Sequence, residues 1–312
     1  MEFIRIDAWP PPEPVDYRPQ LEAGNVLFFP KTPFPFPEES QQFLRQLNFA
    51  GGAIHKNIAY RPAQDKVTGF PADSGKMDRL RYIMREYSQA VVQFMAELFP
   101  QYAAAWKLDY ASFRPVEEEN RNLPVNKRND LIHTDAFPSR PTNGDLILRV
   151  FTNIHPVKTR NWITTDPFRL IAGQYATGAG LREIAASSDS VSGWMRRQSA
   201  RVLHGLGLPV VPRSPYDRFM LHFHEYLKRN AGFQQNCPKY RFNFPPGSTW
   251  LAFTDLVPHS VHSGQHALEQ TFIIARQSMA DPANAPVAIL ERICGKPLIP
   301  ASTPKPSRHP AA

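Results

Sequence analysis

A chain of 312 residues, 42% apolar and 21% charged, can bury a sizeable core, and its net charge of +8 directs it toward anionic partners. No window approaches roughly 18 consecutive apolar residues, which argues against a transmembrane helix. Cys237 and Cys294 form no Cys-x-x-Cys pair, so neither a zinc-thiolate site nor a redox dithiol is expected.

The first residues lack a basic segment followed by an apolar stretch. No signal peptide is read there, and a cytoplasmic protein is expected. Proline, at 32 residues, has about twice its usual share and marks extended or turn segments at 9–14, 30–37 and 297–310. Residues 1–37 read as short strands broken by proline. A helix is expected over 38–47, with Pro37 near its start. A longer one is expected over 76–98, where Leu80, Ile83, Met84, Tyr87, Val91, Phe94 and Met95 recur at three- and four-residue spacing before Pro100.

Beyond Trp106 the pattern changes to strands. Residues 108–114 alternate, a polar loop covers 117–130, and 146–154 is a strongly apolar strand. Residues 163–235 read as mostly helical, with candidates at 180–204 and 214–229. Strands return at 240–244, 249–253 and 269–275, and a last helix fits 286–293. The Pro/Ser/Lys-rich tail 297–312 is expected to be disordered. This order predicts an α+β protein: a β-sandwich or barrel in one domain, 1–296, with flanking helices and a helical insertion at about 163–235.

His133-Thr134-Asp135 is the motif with chemistry in it. On a strand end, residues i and i+2 point to one face, about 7 Å apart along the backbone, so an imidazole and a carboxylate can converge on one ion. A second histidine completes a facial triad that leaves coordination positions open, as mononuclear non-haem iron(II) oxygenases require. The downstream segment Pro258 to His266 supplies it from between two strands. His259, delivered by the Val257-Pro258 turn, is the preferred third ligand, with His262 and His266 as alternatives. His133, Asp135 and His259 are thus the candidate metal ligands and catalytic centre.

Such an oxygenase also binds 2-oxoglutarate, and its distal carboxylate needs a cation, best a bidentate arginine. Arg149 interrupts the apolar run 146–151, where a charge should be paired or functional. It shares a strand face with Ile147, Phe151 and Asn153, which adds Asn153 to the co-substrate candidates. Arg276 closes the 269–275 strand and is the alternative cation.

The stretch Asp130-Leu-Ile-His-Thr-Asp-Ala-Phe-Pro-Ser-Arg-Pro-Thr-Asn-Gly144, followed by Leu146-Ile-Leu-Arg-Val-Phe-Thr-Asn-Ile154, resembles the bacterial Kdo 3-hydroxylases. Kdo is 3-deoxy-D-manno-oct-2-ulosonic acid. The segments His55-Lys-Asn-Ile-Ala-Tyr-Arg-Pro62 and Ser263-Gly-Gln-His-Ala-Leu-Glu-Gln-Thr-Phe272 are similar to the same family, so the resemblance spans roughly residues 50–275. It implies a double-stranded β-helix (jelly-roll, cupin-like) fold, with His133, Asp135 and His259 at the triad positions. It also implies iron(II), 2-oxoglutarate and oxygen, and hydroxylation of a Kdo sugar at C3 in the lipopolysaccharide inner core.

A Kdo-containing lipid A is anionic, which agrees with the +8 charge. Arg114, Arg128 and Arg140 bracket the metal motif, and Arg160 with Trp162 could grip a sugar acid by its carboxylate and apolar face. A lipid-linked substrate implies peripheral contact with the cytoplasmic face of the inner membrane. The helical insertion is open to two roles, covering the site or mediating self-association as a homo-oligomer.

Three rivals stand beside this reading. One is a 2-oxoglutarate oxygenase of alkylated nucleic acid, which the scattered aromatics disfavour, so no nucleic acid partner is expected. Another is a non-catalytic binding protein on the same barrel. The third is a zinc hydrolase with Asp130 or Asp145 as base.

Overall fold

The computed structural model describes residues 2–47, 57–71, 75–119, 121–189 and 211–300. Strands form where apolar and aromatic residues alternate or run together: β1 (Phe3–Arg5), β2 (Val26–Phe29), β3 (Ile58–Arg61), β4 (Lys66–Thr68), β5 (Lys107–Arg114) and β6 (Leu146–Asn153). They continue with β7 (Arg160–Thr164), β8 (Tyr240–Phe244), β9 (Thr249–Phe253), β10 (His259–Ser263) and β11 (Ala267–Ile274). The helices are α1 (Arg18–Glu22), α2 (Glu38–Arg45), α3 (Met77–Leu98), α4 (Pro100–Ala103), α5 (Phe168–Tyr175), α6 (Leu181–Asp189), α7 (Pro215–Arg229), α8 (Ala231–Asn236) and α9 (Pro286–Cys294).

An eight-stranded sheet, in the order β1-β2-β9-β6-β11-β5-β3-β4, faces a three-stranded sheet, β10-β7-β8. Sequence-distant strands lie side by side, with β11 antiparallel between β5 and β6. This is the double-stranded β-helix, an α+β jelly roll.

The two faces of the large sheet bury different things. Leu148, Val150, Leu268 and Phe272 belong to the apolar core shared with the helices. α3 carries its expected stripe into that core and docks through two polar contacts. Tyr87 Oη lies 3.2 Å from Thr152 Oγ1 on β6, and Ser88 Oγ donates to Gln270 Oε1 on β11 at 2.7 Å. Burying each large apolar side chain of this stripe contributes about 1.5–3 kcal/mol. The other face looks into the barrel, where Phe151, Trp162, Phe244 and Trp250 form a second core.

The structure departs from the sequence reading in three places. β7 extends to Thr164, so the helical excursion begins after it rather than at 163. β3, β4, β7 and β10 were not expected as strands. They are short, and all four carry charged or polar residues, which blurs the apolar pattern of a strand. The distal half of the 180–204 helix lies outside the described residues beyond Asp189, as does His55. The tail begins in order: Leu298 is fully buried, and its carbonyl accepts from Tyr216 N at 3.2 Å. Residues 301–312 lie outside the described residues.

Candidate metal centre

His133 and His259 face each other across a two-way antiparallel bridge. His133 N donates to His259 O at 3.0 Å, and His259 N donates to His133 O at 2.9 Å. His133 therefore sits on an isolated bridge rather than at the end of a full strand. Asp135 N donates to Thr254 O at 2.9 Å, which holds the carboxylate beside the two imidazoles. One ligand atom from each of His133, Asp135 and His259 falls within 4.8 Å of the others. His133 Nε2 and Asp135 Oδ1 are 3.8 Å apart.

These residues fit a divalent iron. His133 Nδ1 lies 2.7 Å from Leu131 O, and His259 Nδ1 lies 2.9 Å from Val257 O. Only a protonated Nδ1 can bond to a carbonyl, so each ring offers its Nε2 lone pair to a metal. Burial lowers the pKa of both histidines, which keeps them neutral. Burial alone would raise the pKa of Asp135, but Arg149 and the two histidines outweigh it and hold the carboxyl well below the usual range. Asp135 Oδ2 is buried and accepts no well-aligned hydrogen bond, although the Arg149 guanidinium lies 3.3 Å away, so the carboxylate keeps capacity for a metal. Two nitrogens and one carboxylate form the donor set of a non-haem iron centre.

The alternative histidines are placed elsewhere. A register shift between Val261 and Ser263 drops His262 out of the β10 ladder, and it is exposed. His266 takes a φ of 54° and stacks on His155, with ring centroids 5.3 Å apart.

Around the triad lies a run of alternating charge. Arg149 Nε is 3.3 Å from Asp135 Oδ2, and its Nη1 donates to Glu269 Oε2 at 3.3 Å. Arg114 donates to the same oxygen at 3.0 and 2.6 Å. Arg160 is 3.7 Å from Glu118, which also neighbours Arg114 at 3.9 Å. Burial would raise Glu269, yet Arg114 and Arg149 keep it below its ordinary pKa. Arg160 is buried, and desolvation together with Arg114 brings its pKa down to about 10. Its Nη1 donates to Gly264 O at 3.0 Å, and a Cβ at Gly264 would meet the Arg160 side chain at 2.8 Å. Gly264 also has a φ of 121°, so only glycine lets this turn close over the arginine.

A cavity of about 690 Å³ opens onto the triad. Its floor crosses four adjacent strands, from Arg149 on β6 through Glu269 and Thr271 on β11 and Tyr110, Ser112 and Arg114 on β5 to Arg61 on β3. Arg140 lies over Tyr110 at 4.1 Å and over Phe137 at 4.4 Å, and its Nε is 2.9 Å from Asp109 Oδ2.

Of the residues expected from sequence, Arg114, Arg140 and Arg149 line this cavity with His133 and Asp135, and His259 lies behind them off the lining. The others are placed differently. Asn153 spends its amide on Lys158 O and Phe244 O, both at 2.9 Å, and shapes a turn instead of holding a co-substrate. Arg276 lies past the far end of β11, beside Gly144 and Asp145. Arg128 pairs with Asp130 off the cavity lining. Trp162 is no open sugar platform. It is buried in the barrel and stacks on His259, with centroids 4.7 Å apart and planes at 17°.

Sequence reasoning missed His224, Lys228 and Glu269. His224 and Lys228 extend the i, i+4 row that begins at buried Met220 on α7. That row carries polar residues where a core stripe would end, which was the available signal. His224 Nδ1 lies 2.7 Å from Thr134 O, and its ring meets that of His133 at 4.8 Å. Gln234 on α8 bonds both backbone groups of Ile132, at 3.0 and 2.8 Å. The helical excursion is thereby tied to the metal-binding segment.

A facial triad inside a double-stranded β-helix defines the class: a mononuclear non-haem iron dioxygenase. A family model of the 3-deoxy-D-manno-oct-2-ulosonic acid (Kdo) hydroxylases matches residues 11–297, and the chain belongs to that family. The apo structure of the Kdo hydroxylase KdoO, a non-heme Fe(II) alpha-ketoglutarate-dependent dioxygenase, is similar over 98% of this chain and 100% of its own, at 34% identity and a TM-score of 0.82. Its cobalt(II) complex matches at 34% and 0.81, covering 97% of this chain and 99% of its own. Its complex with alpha-ketoglutarate and Fe(III) matches at 33% and 0.81, covering 98% and 100%. No curated protein matches the sequence. The chain is accordingly an iron(II)/2-oxoglutarate-dependent hydroxylase.

Proposed function

We propose that this enzyme hydroxylates C3 of a Kdo residue in Kdo-lipid A, and that residues 1–296 act as one catalytic domain at the cytoplasmic face of the inner membrane. The observation that carries the reading is the cavity over the triad. Seven cations, Arg61, Arg114, Arg121, Lys127, Arg140, Arg149 and Lys228, line it against two acids, Asp135 and Glu269. Both acids are engaged, one as a metal ligand and one between two arginines. What remains suits a substrate bearing carboxylates and phosphates. No described helix is long and apolar enough to cross a membrane, which agrees with peripheral contact.

His133, Asp135 and His259 would hold iron(II), which couples oxidative decarboxylation of 2-oxoglutarate to hydroxylation of the sugar. The chain supplies orientation. Arg149 fixes the outer oxygen of Asp135, and Arg114 and Arg149, which line the cavity, offer the cations for the distal carboxylate of 2-oxoglutarate. Trp162 backs His259 and keeps water from that side. His224 holds the Thr134 carbonyl and sets α7 against the site.

The test is anaerobic loading with iron(II) and 2-oxoglutarate, followed by oxygen. Succinate should form in step with a hydroxylated Kdo and require Kdo-lipid A. No acceptor-dependent succinate from the iron-loaded enzyme would sink the proposal.

A further inference from the structure

We infer that Lys228 is the specificity-determining cation that binds the C1 carboxylate of the Kdo residue; this rests on the function proposed above. Lys228 is only 5% exposed and lines the triad cavity. Among the described residues, none lies within hydrogen-bond or ion-pair distance of its ammonium. The stem is buried while the ammonium keeps access to the cavity, which leaves it free to meet an entering anion. Burial pulls its pKa below the usual lysine value, while Asp135, Glu225 and Asp130 oppose that pull.

The substrate's chemistry narrows the choice of cation. In a 2-ulosonic acid the carboxylate carbon and C3 are both bonded to C2, so they lie about 2.5 Å apart. A cation that reads this carboxylate must sit beside the metal. Lys228 follows His224 by one helical turn on α7, and the His224 ring touches that of His133. Its charge is felt by both His133 and His224.

Of the other six cations, Lys127 is exposed to solvent, and the remaining five are engaged or too far away. Arg114 and Arg149 are bound to Glu269, and Arg149 also to Asp135. Arg121 is paired with Glu118 and Arg140 with Asp109. Arg61 is three strands from Arg149, roughly 14 Å across the sheet. It lies over Tyr110 at 5.1 Å, where it can meet a phosphate further along the lipid instead.

The experiment compares wild type with Lys228→Met and Lys228→Arg, on Kdo-lipid A and on its Kdo methyl ester. The ester keeps C3 and loses the charge. In wild type the ester should lower kcat/KM by about 10- to 100-fold, mainly through KM. Lys228→Met should lose a similar factor on the acid and no longer distinguish acid from ester, and Lys228→Arg should restore most of the preference. The anaerobic charge-transfer absorbance of the iron(II)·2-oxoglutarate complex should be unchanged in Lys228→Met, showing an intact fold and metal site.

Wild type that accepts ester and acid alike would overturn the assignment, as would a Lys228→Met that still prefers the acid. Loss of the charge-transfer band in both variants would move the lysine to the metal or co-substrate site and overturn it too. Wild type that hydroxylates neither acceptor would overturn the proposed function itself, a result distinct from the others.

Discussion

The two ends of the barrel interior meet at β6 and hold opposite contents. One end is aromatic: the Phe244 and Trp250 rings stack with centroids 3.9 Å apart, and Phe151 stacks on Trp250 at 5.2 Å. The other end is charged, with Arg114, Arg149 and Glu269 in contact. Arg149 and Phe151 are two residues apart on β6 and point to the same side. Strand alternation decides which residues face inward, whereas position across the sheet decides whether that interior is dry or reaches the cavity: Phe151 is paired with Trp250 on β9 to one side and with Glu269 on β11 to the other. His259 joins the two regions, a candidate metal ligand on one side and a stacking partner of Trp162 on the other.

The sharpest break of this comparison is at the triad. Losses around a metal site that leave the ligands in place run to about 10–100-fold, so His259→Ala or Asp135→Ala should reduce iron affinity and turnover by more than ~1,000-fold. His262→Ala and His266→Ala should keep iron, as titrated by anaerobic metal binding. Iron retained in His259→Ala would reassign the site.

The boundary is tested next. Trp162→Leu should cost about 2–4 kcal/mol of stability in denaturant unfolding, and should also weaken iron binding by unseating His259. Leu148→Ala, on the helix-covered face of β6, should cost about 2–5 kcal/mol and leave iron affinity unchanged in the folded protein. Equal iron affinity in the two variants would show that the aromatic end does not support the metal end.

The smallest expected effect is on pH dependence. Asp135 has Arg149 beside it, but Asp255 is buried with no ion pair among the described residues, and burial pushes its pKa up to about 8. Its folded value lies above the ordinary 3.8 of the free side chain, so the stability it contributes is full below that ordinary value and is lost as pH rises toward 8. Asp255→Asn can still accept the hydrogen bond from Ile147 N. Its melting temperature should therefore vary less than that of wild type between about pH 4 and 8, and should exceed it near pH 8. Parallel curves for the two proteins would mean that Asp255 ionises freely in the fold.

Much of this was legible because periodicity is local. The α3 stripe, the β6 and β11 runs, and α7 behind its Ser214 cap follow from residues only a few positions apart. His133-x-Asp135 was legible for the same reason, since both ligands lie on one short segment. His259 was one of three neighbouring histidines, and the bulge after Val261 separated it from His262. Asn153 and Arg276 lie off the cavity for different reasons. Asn153 faces inward as expected, but lies where a turn uses up its amide, and Arg276 is beyond the end of its strand.

The sequence by itself determined the class of chemistry, the first two ligands and the apolar patterns that build both sheets, because each depends on residue type and short spacing. Only the tertiary structure decided that Trp162 lies beneath His259, that Glu269 is held between two arginines, and that α7 brings His224 and Lys228 to the metal. Those contacts join residues dozens of positions or more apart, and they form only when apolar burial elsewhere folds the distant elements together, which no local pattern records.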